Sequence, residues 1–287
     1  ALRTALLPYD ALEFDVAILS TEYVSITKAR GFPRSRLYQA VATPGVLSIA
    51  ALHLDYSLWK NPETQLQRQI LVIGCDPRQR AFRRREISEQ IAGLTEPDTA
   101  LMDRLTRSEF GPRRTGLVTE MDRRRVRIIG QYTLGTGFSA GGAVVVSDQT
   151  FSRLFDRRPR DEVTLGLVQL APGRDPSAVV DSLQTRLPRD VRVLTRPALE
   201  ASERAYWSQT ASLGIIFGLG VMVGLVVQIV LLYQLLSTDI TNRFAEYATL
   251  KAIGYSNDQV SGVVLQQAMI ITAAGYIAGF LVSLALY

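Results

Sequence analysis

Leu213–Thr238 reads LGIIFGLGVMVGLVVQIVLLYQLLST, an apolar run without a single charged side chain. The charge-free stretch extends back to Ala205, and a second one runs from Gln259 to Tyr287. Each exceeds the ~20 residues that a helix needs to cross the ~30 Å hydrocarbon core of a bilayer. The sequence therefore predicts a chain anchored in a lipid bilayer by transmembrane helices at residues 211–236 and 259–287.

The polar segment between these two runs is too short to form a domain, so we expect it to turn the chain at one face of the membrane. Apolar residues recur there at helical spacing, at Ile240, Phe244, Tyr247 and Leu250. This period predicts a short amphipathic helix over residues 239–254. Such a helix either lies at the interface and merely joins two spans, or docks a partner on the cytosolic side.

Local signals predict how this connector begins and ends. Candidate caps at its start are Ser237, Thr238 and Asp239. Arg243 and Glu246 are three residues apart and are expected to pair. Gly254 is the expected stop, and Ser256-x-x-Gln259 is a capping-box pattern that starts the next helix.

Glycines recur at four-residue spacing inside both apolar runs. The pairs are Gly214 with Gly218, Gly220 with Gly224, and Gly275 with Gly279. Small residues at this spacing let helices approach closely in lipid. The pattern favours tight helix packing, although membrane helices also tolerate glycine without any packing role.

The segment before the apolar runs is patterned as an α/β domain. Strand–helix–strand units cover Phe14–Cys75 and Glu162–Thr195, around a differently patterned insert at about residues 80–156. We therefore predict a two-lobed ectodomain over residues 1–196. A stalk helix is expected over residues 197–210, with Tyr206 and Trp207 at the membrane surface.

Several elements of this domain are predicted individually. Pro33 is expected to open a helix with a shared face of Leu37, Tyr38 and Val41. Asp175 is expected to cap a helix that starts at Pro176. Arg80–Arg107 is typical of a helix, and Leu117–Gly130 of a β-hairpin.

Composition and motifs argue against several classes of function. The net charge is +5, but acidic residues are interspersed with the arginines and no nucleic-acid-binding motif is present. Cys75 is the only cysteine and His53 the only histidine, so an internal disulfide is excluded and a His/Cys zinc site has too few ligands. No G-x-x-x-x-G-K-[ST] loop or nucleophile elbow occurs, and no lysine follows the glycine-rich Gly135–Gly142. We therefore expect no catalytic residues, metal or cofactor, and any energy source must lie on another chain.

Glu246–Tyr255, EYATLKAIGY, followed by Gln266-Gln267 and an apolar run, resembles the signature of FtsX/MacB-type ABC transporter permeases. Within that superfamily the chain is most similar to the DevC group, the permeases of heterocyst-glycolipid-type exporters. Segments outside the signature agree with it: Phe32–Gln39, Trp59–Pro62, Ile70–Gly74, Gly130–Gly135, Asp190–Thr195, Ala205–Trp207 and Tyr233–Gln234.

The resemblance implies a fold with four membrane helices and an ectodomain between the first and second, of which this chain has the second and third helices. It implies a homodimer in the inner membrane with its large domain in the periplasm. It also implies three further partners: a separate ATP-binding subunit, a periplasmic membrane fusion protein and, through that protein, an outer-membrane channel. The cargo would be glycolipid or another amphiphile, moved by motion that the permease transmits to its ectodomains.

The connector would then carry the residues that couple the permease to its ATPase: Arg243, Glu246, Tyr247, Leu250, Lys251, Gly254 and Tyr255. The cytoplasmic placement of the connector follows from the resemblance, since its positive and negative charges balance. Two alternatives stay open. One is an FtsX-like signalling or scaffold protein that controls a periplasmic partner without transport. The other is a basic, membrane-tethered module that binds an anionic polymer.

Overall fold

The computed structural model describes residues 7–135, 140–209 and 213–286. The glycine-rich turn expected over Gly135–Gly142 lies partly outside these ranges. The junction between the stalk and the first apolar helix also lies outside them, as do the first and last residues of the chain. The chain divides into two compact units, Ala1–Ala211 and Ser212–Tyr287.

The first unit mixes helices and strands, as predicted. Its helices are α1 (Leu7–Asp10), α2 (Ser35–Val41), α3 (Arg85–Ser88), α4 (Asp148–Leu154), α5 (Pro176–Arg186) and α6 (Arg196–Gln209). Its strands are β1 (Val16–Ser20), β2 (Phe32–Pro33), β3 (Val46–Lys60), β4 (Gln67–Cys75), β5 (Thr99–Asp103), β6 (Val118–Met121), β7 (Arg124–Tyr132), β8 (Ala143–Ser147), β9 (Glu162–Val163), β10 (Leu165–Leu170) and β11 (Val191–Thr195).

The two strand–helix–strand units predicted at the ends of the domain interleave their strands in one sheet. Strands β11, β1, β10 and β3 lie in that order, and every neighbouring pair is antiparallel. Helices α2 and α5 cover one face of these strands, with Leu37, Ala40, Val179 and Leu183 buried against it. This is the arrangement of a split β-α-β unit, which buries one stripe of each helix on one sheet face.

The strands of the insert continue the same sheet. In the described residues, nine strands form one mixed sheet in the order β11-β1-β10-β3-β4-β8-β5-β7-β6. The 15-residue β3 reaches far enough to pair with β6 as well, through Trp59 with Met121 and Lys60 with Glu120. The strands from β3 to β6 therefore close into a ring. The division into two lobes stays a prediction, because β4 and β8 join both strand sets in parallel register.

The helix predicted over Arg80–Arg107 is wrong. It is replaced by α3, a 3₁₀ turn at Ile91–Thr95, and strand β5. Pro97 disfavours helical backbone at the preceding residue, and Glu96 is accordingly extended, with ψ 130°. The residues of β5 are all buried between β7 and β8, so long-range pairing outweighs local propensity there.

The predicted face of the first helix is wrong in part. The helix starts at Ser35, and it buries Leu37 together with Ala40. Tyr38 and Val41 are exposed. The other helix of this layer is as predicted: the Asp175 carboxylate accepts a hydrogen bond from the Ser177 amide at 3.1 Å, and Pro176 occupies the first turn.

His53 lies buried on β3 beside two arginines. Its Nε2 is 3.2 Å from Nη2 of Arg34, and its ring packs on Phe151 at a centroid distance of 5.1 Å. Burial lowers the pKa of His53 to about 4, and the positive charges of Arg34 and Arg158 add to the effect. The imidazole is therefore neutral in the folded state, and it accepts the hydrogen bond from Arg34.

We predict that this histidine makes the chain less stable in weak acid. The unfolded state binds a proton near pH 6.5 and the folded state only near pH 4. Stability is therefore lost as the pH falls through this window, by up to about 3 kcal/mol. The measurement is the thermal midpoint of the detergent-solubilised chain between pH 7.5 and 4.5, beside His53→Gln, which keeps an acceptor for Arg34. An equally steep pH dependence in both proteins would contradict the prediction.

Candidate coupling site

The second unit consists of three consecutive helices, α7 (Leu213–Asn242), α8 (Phe244–Ala252) and α9 (Asn257–Leu286). Among the described residues, one helix is long and apolar enough to cross a membrane: Gly218–Asn242, 25 residues, with a mean hydropathy of 2.3 and no buried residues in its most apolar window. Within α9 the apolar stretch Ala268–Leu284 is shorter. The second of the two expected spans therefore stays a prediction.

The connector helix begins later than expected. Helix α7 continues through residues 239–242, and the break lies at Arg243, with φ −106° and ψ 15°. The hydroxyls of Thr238 and Thr241 donate back to carbonyls of the preceding turn of α7, each at 2.8 Å. Because these side chains bond within α7, they do not cap a new helix. The predicted cap at Ser237, Thr238 or Asp239 is therefore wrong, and α8 starts without a side-chain cap.

Charges on the connector differ in how they are partnered. Arg243 pairs with Asp239 at 3.2 Å and not, as predicted, with Glu246. Glu246 lies exposed in the first turn of α8, and Lys251 lies exposed in its last turn. Neither makes an ion pair with another residue that the structure describes. Both charges are therefore available to a partner, and each has the favourable sign for its end of the helix dipole.

The apolar residues of α8 differ in how exposed they are. Tyr247 and Leu250 are half-buried, and residues of α7, α8 and α9 line a cavity of about 390 Å³. Its lining is Leu236, Ile240, Phe244, Tyr247, Ser261, Leu265 and Ala268. Phe244 and Ile253 are 70% and 72% exposed, and neither was among the predicted coupling residues. Phe244 is the first residue of α8 and Ile253 directly follows its last residue. Apolar residues at the two ends of the connector are the sequence signal that could have identified them as candidates.

The end of the connector is built as predicted. Gly254 has φ +107°, and its amide donates to the Lys251 carbonyl while the Tyr255 amide donates to that of Leu250. Only glycine adopts this backbone conformation without strain. The next helix starts with the predicted capping box. The Ser256 amide donates to the Gln259 side chain at 2.9 Å, and the Gln259 amide donates back to the Ser256 hydroxyl at 3.4 Å.

The glycine pairs have open space around them. A methyl group built on Gly218, Gly220, Gly224, Gly275 or Gly279 would meet nothing within 4 Å among the described atoms. The side-chain surroundings at Gly214 lie outside the described part of the chain. Gly224, Gly275 and Gly279 line an open groove of about 700 Å³ between α7 and α9. Close helix packing at these glycines stays a prediction. Because the space around them is open, the helix that packs there would have to be one other than α7 and α9.

A buried carboxylate ties helix α6, the predicted stalk, to the N-terminal segment of the first unit. Glu203 is fully buried, and its Oε1 accepts hydrogen bonds from the Tyr9 hydroxyl at 2.8 Å, the Tyr23 hydroxyl at 3.1 Å and the Ile26 amide at 3.0 Å. Burial raises the pKa of Glu203, and these hydrogen bonds oppose that rise in part. Leu199 and Glu203 are one helical turn apart and both fully buried, which is the pattern that sequence reasoning missed.

An arginine anchors the start of the same helix. The Arg196 guanidinium donates to the carbonyls of Tyr9 and Leu12 at 3.1 and 3.3 Å. It also bonds the Glu200 carboxylate at 3.0 Å and lies 5.1 Å from the centroid of the Phe14 ring. Helix α6 is therefore held to the N-terminal segment at two points, Arg196 and Glu203.

Comparisons with known proteins address the two units differently. Residues 215–287 match the family model of the FtsX-like permease C-terminal domain. No curated protein matches the chain.

Solved structures similar to the chain include the periplasmic region of MacB from Actinobacillus actinomycetemcomitans, with a TM-score of 0.48, 8% identity, and coverage of 68% of this chain and 94% of that one. The extracellular domain of the noncanonic ABC-type transporter YknZ from Gram-positive bacteria gives 0.44 and 10%, with 63% and 98% covered. A domain of a putative permease protein from Porphyromonas gingivalis gives 0.41 and 14%, with 65% and 88% covered.

Sequence identities of 8–14% to these solved structures do not assign an activity to the first unit, because proteins with the same fold have many different functions. The family match is confined to the second unit, where it covers all of α8 and α9 and nearly all of α7. Residues 215–287 of this chain are therefore similar to the C-terminal domain of FtsX-like permeases.

Proposed function

We propose that the chain is the permease subunit of an ABC-type exporter that takes its energy from a separate ATP-binding subunit. The observation that carries the proposal is α8, a short helix between two long apolar helices in the segment that matches FtsX-like permeases. Glu246 and Lys251, which form no ion pair with any described residue, and the exposed apolar ends of α8 offer a compact surface for docking. Docked partners are commonly held by a few such residues.

The proposed coupling runs through the covalent chain. Docking and ATP-driven movement of the partner displace α8 and with it α7, which follows the stalk helix α6 in the sequence. Because Arg196 and Glu203 hold α6 to the N-terminal segment, a displaced stalk pulls on the ectodomain and does not slide past it. The ectodomain movement then acts on cargo outside the bilayer.

The finer features of the proposal come from the resemblance to the DevC group. The permease works as a homodimer in the inner membrane, with the ectodomain in the periplasm. A membrane fusion protein sits on the ectodomains and leads to an outer-membrane channel, and the cargo is an amphiphile such as a glycolipid.

Co-purification of the intact permease from its own membranes tests this proposal. We expect an ATP-binding subunit and a membrane fusion protein to accompany it, and ATP hydrolysis by the assembly to rise when amphiphile is added. If an ATPase is recovered but its rate of ATP hydrolysis does not change with any amphiphile, the result would favour the FtsX-like signalling function. If no ATPase accompanies the permease, the proposal that the chain is an exporter subunit is refuted.

A labelling experiment tests the orientation of α8. Thr249 is exposed on this helix, and the natural Cys75 is buried, so the background is low. We expect a cysteine at Thr249 to react with an impermeant thiol reagent only from the cytoplasmic side. A cysteine at the exposed Glu63 of the ectodomain is the matched control and should react from outside. Labelling of the cysteine at position 249 from outside intact cells would show that the orientation of α8 is the reverse of the proposed one.

A further inference from the structure

An arginine-rich cavity lies in the first unit. It has a volume of about 760 Å³, and its wall includes the hairpin turn after β6 and the segment that follows α4. We call it the arginine cleft, after the arginines that line it: Arg123, Arg124, Arg153, Arg157 and Arg158. Among the residues that the structure describes, no lysine lines the cavity.

Positive charge exceeds negative charge in this cleft. Its five arginines face three aspartates, Asp55, Asp122 and Asp156. Arg158 is neutralised by Asp55 at 2.9 Å, and Arg153 pairs with Asp98 at 3.4 Å.

The other three arginines, Arg123, Arg124 and Arg157, are exposed and form no ion pair or side-chain hydrogen bond with any described residue. A neighbouring cavity shares Asp55, Arg157 and Arg158 but adds Glu22, Glu162 and Asp190 against one further arginine. Of these two cavities, the arginine cleft is the one whose lining has an excess of positive charge.

The hairpin turn that presents Arg123 is strained. Asp122 and Arg123 have φ of +44° and +66°. Glycine, asparagine and aspartate tolerate this region, so Arg123 is the residue that rarely adopts it. Asn-Gly is the usual choice for such a turn. The Asp122 carboxylate accepts a hydrogen bond from the Ser57 hydroxyl at 2.7 Å, and its amide donates to the Leu58 carbonyl at 3.2 Å. These bonds hold the turn in place, so the backbone at Arg123 has a fixed position in the wall of the cleft.

We propose that the arginine cleft binds an anionic ligand through a phosphate group, either free or in a lipid headgroup. Guanidinium groups bind phosphate oxygens through two parallel hydrogen bonds, which suits the arginine-only set of cations here. The volume lies in the range of small-molecule sites, and the concave shape fits a compact group better than an extended acidic peptide. Backbone strain kept at a fixed position is a feature of ligand-binding sites.

Calorimetric titration of the detergent-solubilised full chain tests this site. The probes are inorganic pyrophosphate and dihexanoyl phosphatidic acid, a soluble lipid with a phosphate headgroup. We expect Arg123→Asn together with Arg157→Gln to weaken binding about tenfold or more, since each removes a charge-assisted contact. Asparagine suits the backbone of residue 123, so the variant should fold at least as well as the parent. Arg157→Gln alone, at an exposed residue, should show a smaller loss in the same direction.

The matched control is Arg83→Gln with Arg114→Gln, which removes the same charge from exposed residues outside the cleft. Its binding should equal that of the parent chain. Tighter binding of the lipid probe identifies a headgroup as the ligand, and tighter binding of pyrophosphate identifies a free phosphate. The proposal is overturned by equal losses in the control, by undiminished binding in the cleft variants, or by binding of neither probe. Polyglutamate serves as a third probe, for an acidic protein segment. Binding of polyglutamate alone would assign the cleft to such a segment and would also overturn the phosphate proposal.

Discussion

Glu246→Lys is expected to leave the chain folded and inserted but to abolish export and ATPase association. Glu246 is exposed and makes no ion pair with a described residue, so its reversal costs the fold little beyond a less favourable charge in the first turn of α8. At a docking surface the same change places like charge against the partner and removes a contact. A residue that dominates such an interface is worth about 2 kcal/mol or more, a loss of roughly thirtyfold in affinity. The measurement is recovery of the ATPase in a pull-down, beside the membrane abundance of the permease.

Two further variants isolate the cause of such a loss. Glu63→Lys makes the same change of charge at an exposed ectodomain residue, and it should retain both ATPase recovery and export. Glu246→Gln removes the charge but keeps the size, so it should fall between the parent and Glu246→Lys. If Glu246→Lys recovers the ATPase normally and exports normally at full abundance, α8 is a connector without a docking role.

The largest loss of stability is expected for Glu203→Ala. The substitution removes the common acceptor of the Tyr9 hydroxyl, the Tyr23 hydroxyl and the Ile26 amide, all in the buried joint between the stalk and the ectodomain. The two hydroxyls still contact each other at 2.5 Å, but the Ile26 amide loses its carboxylate partner. Unsatisfied buried donors and the space left by the side chain cost about 3 kcal/mol. The thermal midpoint should fall by roughly 10 °C.

Arg204→Ala is the matched control for this prediction, because Arg204 is the next residue of α6 and its side chain is exposed. Its effect should stay within about 0.5 kcal/mol. Equal midpoints for the Glu203→Ala and Arg204→Ala proteins would show that Glu203 does not hold the stalk.

Glu203→Gln separates the hydrogen bonds of this site from its charge. The amide oxygen still accepts from Ile26 and the tyrosines, so the variant should be much more stable than Glu203→Ala. Because the folded state raises the pKa of Glu203, this group stabilises the fold at low pH, and that contribution is lost as the pH rises through the folded pKa. The midpoint of Glu203→Gln relative to the parent should therefore improve as the pH rises. A difference that does not change with pH would contradict the raised pKa.

Local patterns along the chain accounted for much of what the structure contains. The Asp175 cap, the hairpin of β6 and β7, the Gly254 stop and the Ser256–Gln259 capping box are all formed by residues within a few positions of one another. The exposed apolar helix at Gly218–Asn242 follows from composition alone. Such features are read directly from the chain because the contacts that stabilise them are short in sequence.

Other features were invisible to those patterns. Strand β5 replaces part of a predicted helix because it pairs with β7 and β8, which lie far along the chain. The closure of β3 onto β6 joins Trp59 to Met121 by the same kind of contact. The arginine cleft likewise collects residues of the hairpin turn and of the segment after α4.

Glu203 shows the difference most clearly. In the sequence it is one charged residue of a polar helix, yet 194 positions separate it from Tyr9, with which it shares a buried hydrogen bond. Helical periodicity, caps and apolar length depend on backbone geometry and nearest neighbours, so the order of residues is sufficient for them. Other features depend on which distant segments meet: the burial of the Glu203 carboxylate, the closure of β3 onto β6 and the clustering of arginines in the cleft. Those contacts form only when the whole core packs.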